Sequence, residues 1–361
     1  MAIIDQDGVQ KEPTIMDVQA PLWFMRATLV LVALAAGCSG PAQMPEAAPR
    51  VGRQLQNVRF GAEPGELLLT FCRGGEPETC TLTLADIGRH DATEYAAPVG
   101  SSIKDASFVG GAVLAVVTKP QADAKGNRPS TIVRFLPGKT AMEVRRRDAV
   151  QMRFPVEVNG RLMFWRRNCL APTDRYCQHD LFEQTASGST APVGAAHHFA
   201  EVDTIVPQKA GTVVNAGYPA DGVEDSNRYL DYAGGTSAWR LAPAQPFGLA
   251  RLAGNKDVMK AMAVPGGLLL LAQDEGGIAL FRQAAARLER IISLPSETKT
   301  MKALVVRDVA VSTDGGHVAM IVGGPDPMQP EVLFTLDLAT RTWRTVDPAA
   351  LVARRRIVLE E

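Results

Sequence analysis

From residue 51 onward the chain alternates short apolar runs with glycine-rich breaks. The clearest set lies between Arg307 and Val346. Positions 308–312, 317–322, 331–336 and 341–346 form four strand-like runs rich in Val and Thr. Thr313-Asp314-Gly315-Gly316 separates the first two, a Gly/Pro stretch at 323–330 the next two, and Ala339-Thr340 the last two. Runs this short and this closely spaced predict an all-β unit rather than a strand–helix–strand crossover.

The same pattern recurs in weaker form. A glycine-containing break between two apolar runs occurs at Gly65, Gly110-Gly111, Asn159-Gly160, Gly211, Gly266-Gly267 and Gly315-Gly316, with steps of 46, 49, 51, 56 and 49 residues between the last glycines. Asn-Gly and Gly-Gly reach positive φ cheaply, as a tight hairpin requires. Each break is followed by a second strand (67–71, 112–117, 162–165, 212–216, 268–272, 318–322), a loop, and a third strand (81–84, 131–135, 180–183, 228–232, 278–282, 331–336). A period near 50 with four strands per repeat predicts a six-bladed β-propeller of four-stranded antiparallel blades. A seven-bladed ring and an irregular β-sandwich with accidental glycine spacing are the alternatives.

Composition permits this and narrows the partners. With 46% apolar and 21% charged residues in 361, a large core is affordable. A net charge of −1 and a pI near 6.5 give no broad pull on nucleic acid.

The first 37 residues read differently. Positions 27–37 are an 11-residue apolar run behind Arg26. That is too short to span a bilayer as a helix and suits the core of a signal peptide. Asp5, Asp7 and Glu12 ahead of it fit a signal peptide poorly, so translation is expected to start at Met16 or Met25. The run ends in Leu34-Ala35-Ala36-Gly37-Cys38-Ser39, which resembles the lipobox of bacterial lipoproteins. That resemblance implies cleavage before Cys38, acylation of Cys38, and anchoring through the acyl chains. Ser39, where Asp would favour inner-membrane retention, implies the periplasmic side of the outer membrane. The expected organisation is a signal peptide at 1–37, a lipidated Pro/Ala-rich tether at 38–50, a propeller at 51–350 and a closing segment at 351–361.

Four further cysteines form two pairs of equal spacing, Cys72 with Cys80 and Cys169 with Cys177. Each pair spans the end of a second strand and the start of a third. Facing residues of antiparallel strands lie about 4.5–5.5 Å apart at Cα, within disulfide range. Two local disulfides are expected, and with them an oxidising compartment. Zinc is the rival, but Cys-x7-Cys is not a usual zinc spacing.

The last repeat carries a family likeness. The stretch from Asp308 through Ser312-Thr313-Asp314-Gly315-Gly316-His317 to Met320 resembles the repeat of TolB-like (WD40-like) propellers, with Thr313 in place of a proline. Leu336-Asp337-Leu338-Ala339-Thr340 resembles that repeat's later turn. The resemblance implies architecture over about 51–350 and carries no functional residue. Beyond it, Asp347-Pro348 could open a short helix, and 356–360 could be a strand that completes the first blade near 94–99.

Chemical motifs are sparse. Gly138-Lys139-Thr140 lacks the first glycine of a phosphate loop, and Gly235 to Trp239 lacks the second glycine of a nucleophile elbow. His197-His198 are neighbours on a strand start, where side chains diverge. Asp221, Glu224 and Asp225 have no EF-hand spacing and read as an acidic surface loop. No cofactor and no metal are expected. The function expected from the repeat fold and the missing motifs is a non-enzymatic interaction or assembly platform. The alternative is a propeller hydrolase or lactonase with a channel-bound metal. The candidate binding face is the set of longer second-to-third-strand loops, with Lys119, Lys125, Arg128, Arg166, Arg167 and Arg175 opposite Asp221, Glu224 and Asp225, and an envelope protein as the partner.

Overall fold

The computed structural model describes residues 53–361 apart from 74–78, 125, 170–176, 186, 194–198, 200–201, 209–210, 218–236, 242–248, 252–256, 276, 285–286, 295–304, 324–330, 349–350 and 352. Among the described residues there is no α-helix and there are six sheets, each built on four strands consecutive in sequence, one of them with a fifth strand from the C-terminal tail. Blade 1 is β1 (Arg53–Phe60), β2 (Glu66–Arg73), β3 (Thr79–Asp86) and β4 (Asp91–Ala96). Blade 2 is β5 (Ser102–Val109), β6 (Ala112–Thr118), β7 (Ser130–Phe135) and β8 (Met142–Asp148). Blade 3 is β9 (Met152–Val158), β10 (Arg161–Asn168), β11 (Gln178–Gln184) and β12 (Thr190–Pro192). Blade 4 is β13 (Val202–Gln208), β14 (Gly211–Ala216), β15 (Ser237–Leu241) and β16 (Leu249–Arg251). Blade 5 is β17 (Asp257–Val264), β18 (Gly267–Asp274), β19 (Gly277–Ala284) and β20 (Arg287–Ser293). Blade 6 is β21 (Val305–Val311), β22 (His317–Gly323), β23 (Val332–Asp337) and β24 (Thr342–Val346). The six-bladed expectation holds, and neither a seventh blade nor a sandwich is formed.

The first turns are as tight as their residues require. Asn159 and Gly160 sit at φ 53° and 73°, and Gly110 and Gly111 at 56° and 79°. A Cβ is tolerated poorly in that region, which explains the glycine spacing.

Apolar faces of neighbouring blades meet in six clusters, one per seam, and together they close a ring. Trp165 shows the packing at its densest. It is fully buried between blades 3 and 4, edge-on to Phe199 at 5.2 Å, and its Nε1 donates to the Asp203 carbonyl at 2.9 Å. The seam between blades 6 and 1 packs Ala310, Ala319, Ile321 and Leu333 against Leu55, Val58, Leu67 and Leu69. No strand is shared across it, so side chains and the tail must close the ring.

Residues 349–350 and 352 of the helix expected in that tail lie outside the described residues. One turn remains at Pro348, whose carbonyl accepts from Leu351 N at 3.2 Å. β25 (Arg355–Val358) then runs parallel to β4 as a fifth strand of blade 1. It continues onto blade 2, where Glu360 N donates to the Thr140 carbonyl at 2.9 Å and its own carbonyl accepts from Met142 N at 2.8 Å.

Both disulfides form. Cys72 faces Cys80 in the β2–β3 register with Cα atoms 4.0 Å apart, and Cys169 joins Cys177 at 4.4 Å just beyond β10 and β11. Each closes a small loop, and each contributes about 2 kcal/mol.

Candidate functional site

The innermost strand of every blade carries a β-bulge at the same place in the repeat. The extra residues are Gln56, Asp105-Ala106, Phe154-Pro155, Asp203-Thr204, Met259 and Arg307. Asp105 and Phe154 are held at positive φ there. A bulge shifts the side-chain phase by one and re-aims the residues beyond it. Here it gathers charged groups from the inner strands instead of more apolar side chains.

Two ion-pair sets result. In the first, Arg59 of blade 1 reaches Asp308 Oδ2 of blade 6 at 2.6 Å and Asp203 Oδ1 of blade 4 at 3.5 Å. Lys260 of blade 5 pairs with Asp203 Oδ2 at 2.8 Å and with Asp308 Oδ1. Asp308 also accepts from Val58 N at 2.8 Å and from Val309 N at 2.9 Å. In the second, Arg153 of blade 3 grips both oxygens of Asp105 of blade 2. Since Arg59 reaches from blade 1 to blade 4, the first set spans the middle of the ring.

Asp308 and Arg59 are held in their charged forms by their partners. Burial alone would raise the Asp308 pKa, but Arg59 and Lys260 outweigh it and hold the carboxyl below its ordinary value. Burial alone would lower the Arg59 pKa, and Asp308 and Asp203 outweigh it in the same way. Asn215, wholly buried, ties this layer to blade 5 through the Ala261 backbone: its Nδ2 donates to the carbonyl at 2.9 Å and its Oδ1 accepts from the N–H at 2.7 Å.

Above this layer, toward the tight first turns, lies a cavity of about 250 Å³. Its walls are mainly apolar, including Phe108, Val156, Ile205 and Met262, and its floor includes Arg59, Asp105 and Lys260. Two of its hydroxyls are engaged by neighbouring groups. Ser107 Oγ donates to the Pro155 carbonyl at 2.8 Å, and Thr204 Oγ1 accepts from Asn215 at 2.6 Å. The layer does not fit the metal of the lactonase alternative. Each oxygen of Asp105, Asp203 and Asp308 already takes an Arg or Lys, and no group of three metal-ligating side chains occurs among the described residues.

The residues expected on the second-to-third-strand loops fare unevenly. Cys38, Lys125, Arg175, His197, His198, Asp221, Glu224 and Asp225 lie outside the described residues. Arg166 is engaged within its blade seam, 3.3 Å from Asp148 and over the Phe182 ring. Lys119 and Arg128 line a smaller cavity of about 160 Å³ at the other end of β5. Arg167 stands behind it, with Nη1 donating to Gln151 Oε1 at 3.0 Å.

No protein-family model and no curated protein matches the chain. Solved structures do match in fold. The β-propeller domain of the Trilobed protease from Pyrococcus furiosus aligns with TM-score 0.44 and 9% identity over 81% of this chain and 97% of that one. Acylaminoacyl peptidase from Pyrococcus horikoshii aligns with TM-score 0.47 and 10% identity over 81% of this chain, which spans only 52% of the peptidase. Oligogalacturonate lyase from Vibrio parahaemolyticus aligns with TM-score 0.46 and 9% identity over 82% and 79%. These likenesses concern the fold and assign no activity.

They do correct one expectation. A non-enzymatic platform was expected because the chain is a repeat propeller with few motifs. Peptidases and a lyase contain the same architecture, so the architecture does not favour a platform.

Proposed function

We propose that this chain is a lipid-anchored envelope protein whose propeller channel takes up a small, neutral, amphipathic molecule. The observation behind the channel reading is the cavity of about 250 Å³, with apolar walls over an ion-paired floor. Arg59, Lys260 and Asp105 form the floor, and each is paired within a layer that also holds Arg153, Asp203 and Asp308. A ligand there meets charges that are already paired, while its apolar part gains from burial against the walls. A charged ligand would have to displace a cation or a carboxylate already paired.

Ala263 is exposed on the cavity wall, so Ala263→Trp fills the space without repacking the core. Neutral lipophilic dyes and a small-molecule set are expected to raise the unfolding midpoint of the natural chain and to lose that effect in A263W. An ester and lactone screen on the same pair reads turnover at the same place. Equal responses from both proteins would remove the cavity as the site.

The anchoring part of the proposal rests on the lipobox resemblance at Cys38, and the TolB-like affinity on the repeat around Asp308 to Thr340. No helix among the described residues is long and apolar enough to cross a membrane. Two or three acyl chains suffice for stable attachment, and the proposed location is the periplasmic side of the outer membrane. Replacing Cys38 with Ala is expected to leave an unprocessed or soluble chain in fractionated cells. Unchanged processing and membrane attachment would refute it.

A further inference from the structure

The cavity of about 160 Å³ lies at the opposite end of the inner strands from the channel cavity, among blades 1, 2 and 3. Lys104, Lys119 and Arg128 line it, and among the described residues neither Lys119 nor Arg128 makes an ion pair or side-chain hydrogen bond. Ser102 Oγ accepts from Cys80 N at 2.9 Å, which leaves its proton free to donate. Thr118 also lines it, only 4% exposed, with an Oγ1 that has no hydrogen-bond partner. No carboxylate lines it among the described residues.

Behind the lining, Arg167 is a fourth cation, and among the described residues its one side-chain acceptor is the neutral amide of Gln151. Burial, then the charges of Arg153 and Arg128, push its pKa below the ordinary arginine value. Buried or crowded cations are normally matched by carboxylates, as the channel layer shows. Among the described residues no carboxylate is matched to Lys119, Arg128 or Arg167, and the side chains named are mostly donors.

We propose that this cavity is an oxyanion site that takes a phosphate group. A tetrahedral dianion supplies both the missing negative charge and enough acceptor oxygens for Lys119, Arg128, Ser102 and Thr118 together. The enclosed volume admits the phosphate of an inorganic ion or of a small ester. The site is separate from the channel cavity and does not depend on what that cavity binds.

The test uses the full chain with inorganic phosphate, glycerol 3-phosphate and ionic-strength-matched chloride, followed by equilibrium dialysis and unfolding midpoint. Phosphate is expected to bind and to raise the midpoint above the chloride control. Lys119 is exposed and Arg128 half-buried, so the K119A/R128A pair should fold normally. Loss of two charge-assisted contacts is expected to weaken phosphate binding about tenfold or more. Thr118→Val is the second variant. If the hydroxyl serves the anion, T118V weakens binding severalfold. If Thr118 is merely an unsatisfied core hydroxyl, T118V raises the midpoint and leaves binding unchanged. Tighter binding of glycerol 3-phosphate than of phosphate identifies an ester as the natural source, and the reverse identifies the free ion. A263W, at the far cavity, should leave phosphate binding intact. The proposal falls if phosphate acts no differently from chloride, or if the K119A/R128A chain binds it as the natural chain does.

Discussion

Asp308→Asn is expected to lower the free energy of unfolding by about 3–5 kcal/mol, the usual cost of removing one partner from a buried ion-pair set. Asp308 is 3% exposed and takes charge from two sides, Arg59 on blade 1 and Lys260 on blade 5. Asparagine keeps the shape and the Val58 N–H contact but leaves two cations facing only Asp203. The loss should be concentrated at the seam between blades 6 and 1, because Asp308 joins β21 to β1 through Val58 N. Hydrogen exchange of the β1 amides should accelerate more than that of blades 3 and 4. A loss below 1 kcal/mol in urea titration would mean that the charges are not coupled as the distances imply.

The pH dependence follows from the same carboxyl. Its pKa is lower in the folded chain than in the unfolded chain. Its stabilisation is therefore complete above the unfolded value, about 3.9 for Asp, and is lost as pH falls through the lower folded value. The gap between the natural chain and D308N should stay constant from neutral pH to about 5 and close below about 4. Arg59 is raised instead, so its contribution is complete across that whole range and disappears only in strong alkali.

Much of the ring was legible because its determinants are local. Tight hairpins need residues such as Asn159-Gly160 and Gly110-Gly111, and these repeat at the blade period. Facing cysteines on adjacent strands are equally local. The channel layer was not read, because its members are Arg59, Asp105, Arg153, Asp203, Lys260 and Asp308, one from each blade and spread over 250 residues of sequence. Charged residues at strand positions look like solvated faces until the ring closes on them.

A signal for it does exist in the sequence. A strand alternates with period two, yet four inner strands step by three between apolar positions: Leu55 to Val58, Ile103 to Ala106, Val202 to Ile205 and Val306 to Val309; Phe154 and Met259 break the step in the other two. A step of three in a strand is the imprint of an inserted residue, and these four coincide with bulges. The tail is pinned at two further points, since Leu351 and Ile357 are buried in clusters of blades 6, 1 and 2.

Leu359→Ala is expected to cost about 2–5 kcal/mol, the range for truncating a fully buried leucine, while Val358→Ala should cost less than about 0.5 kcal/mol because Val358 faces solvent. Leu359 is 0% exposed and Val358 is 43% exposed, one residue apart on the same extended segment. Leu359 packs with Tyr95, Ile103, Val113 and Phe135, a cluster shared by blades 1 and 2. Its N–H donates to the Ala96 carbonyl at 3.0 Å, and the next residue bonds blade 2 through Thr140 and Met142. The tail thus leaves blade 6, crosses blade 1 and ends on blade 2, bracing the seam that no shared strand closes. Truncation of Leu359 should loosen both ends of that brace, so amide exchange should rise at 93–96 and at 142 together. If L359A exposes only the β25 amides and leaves Met142 protected, the tail is an appended strand and the ring is held from inside, by Asp308 and its partners alone.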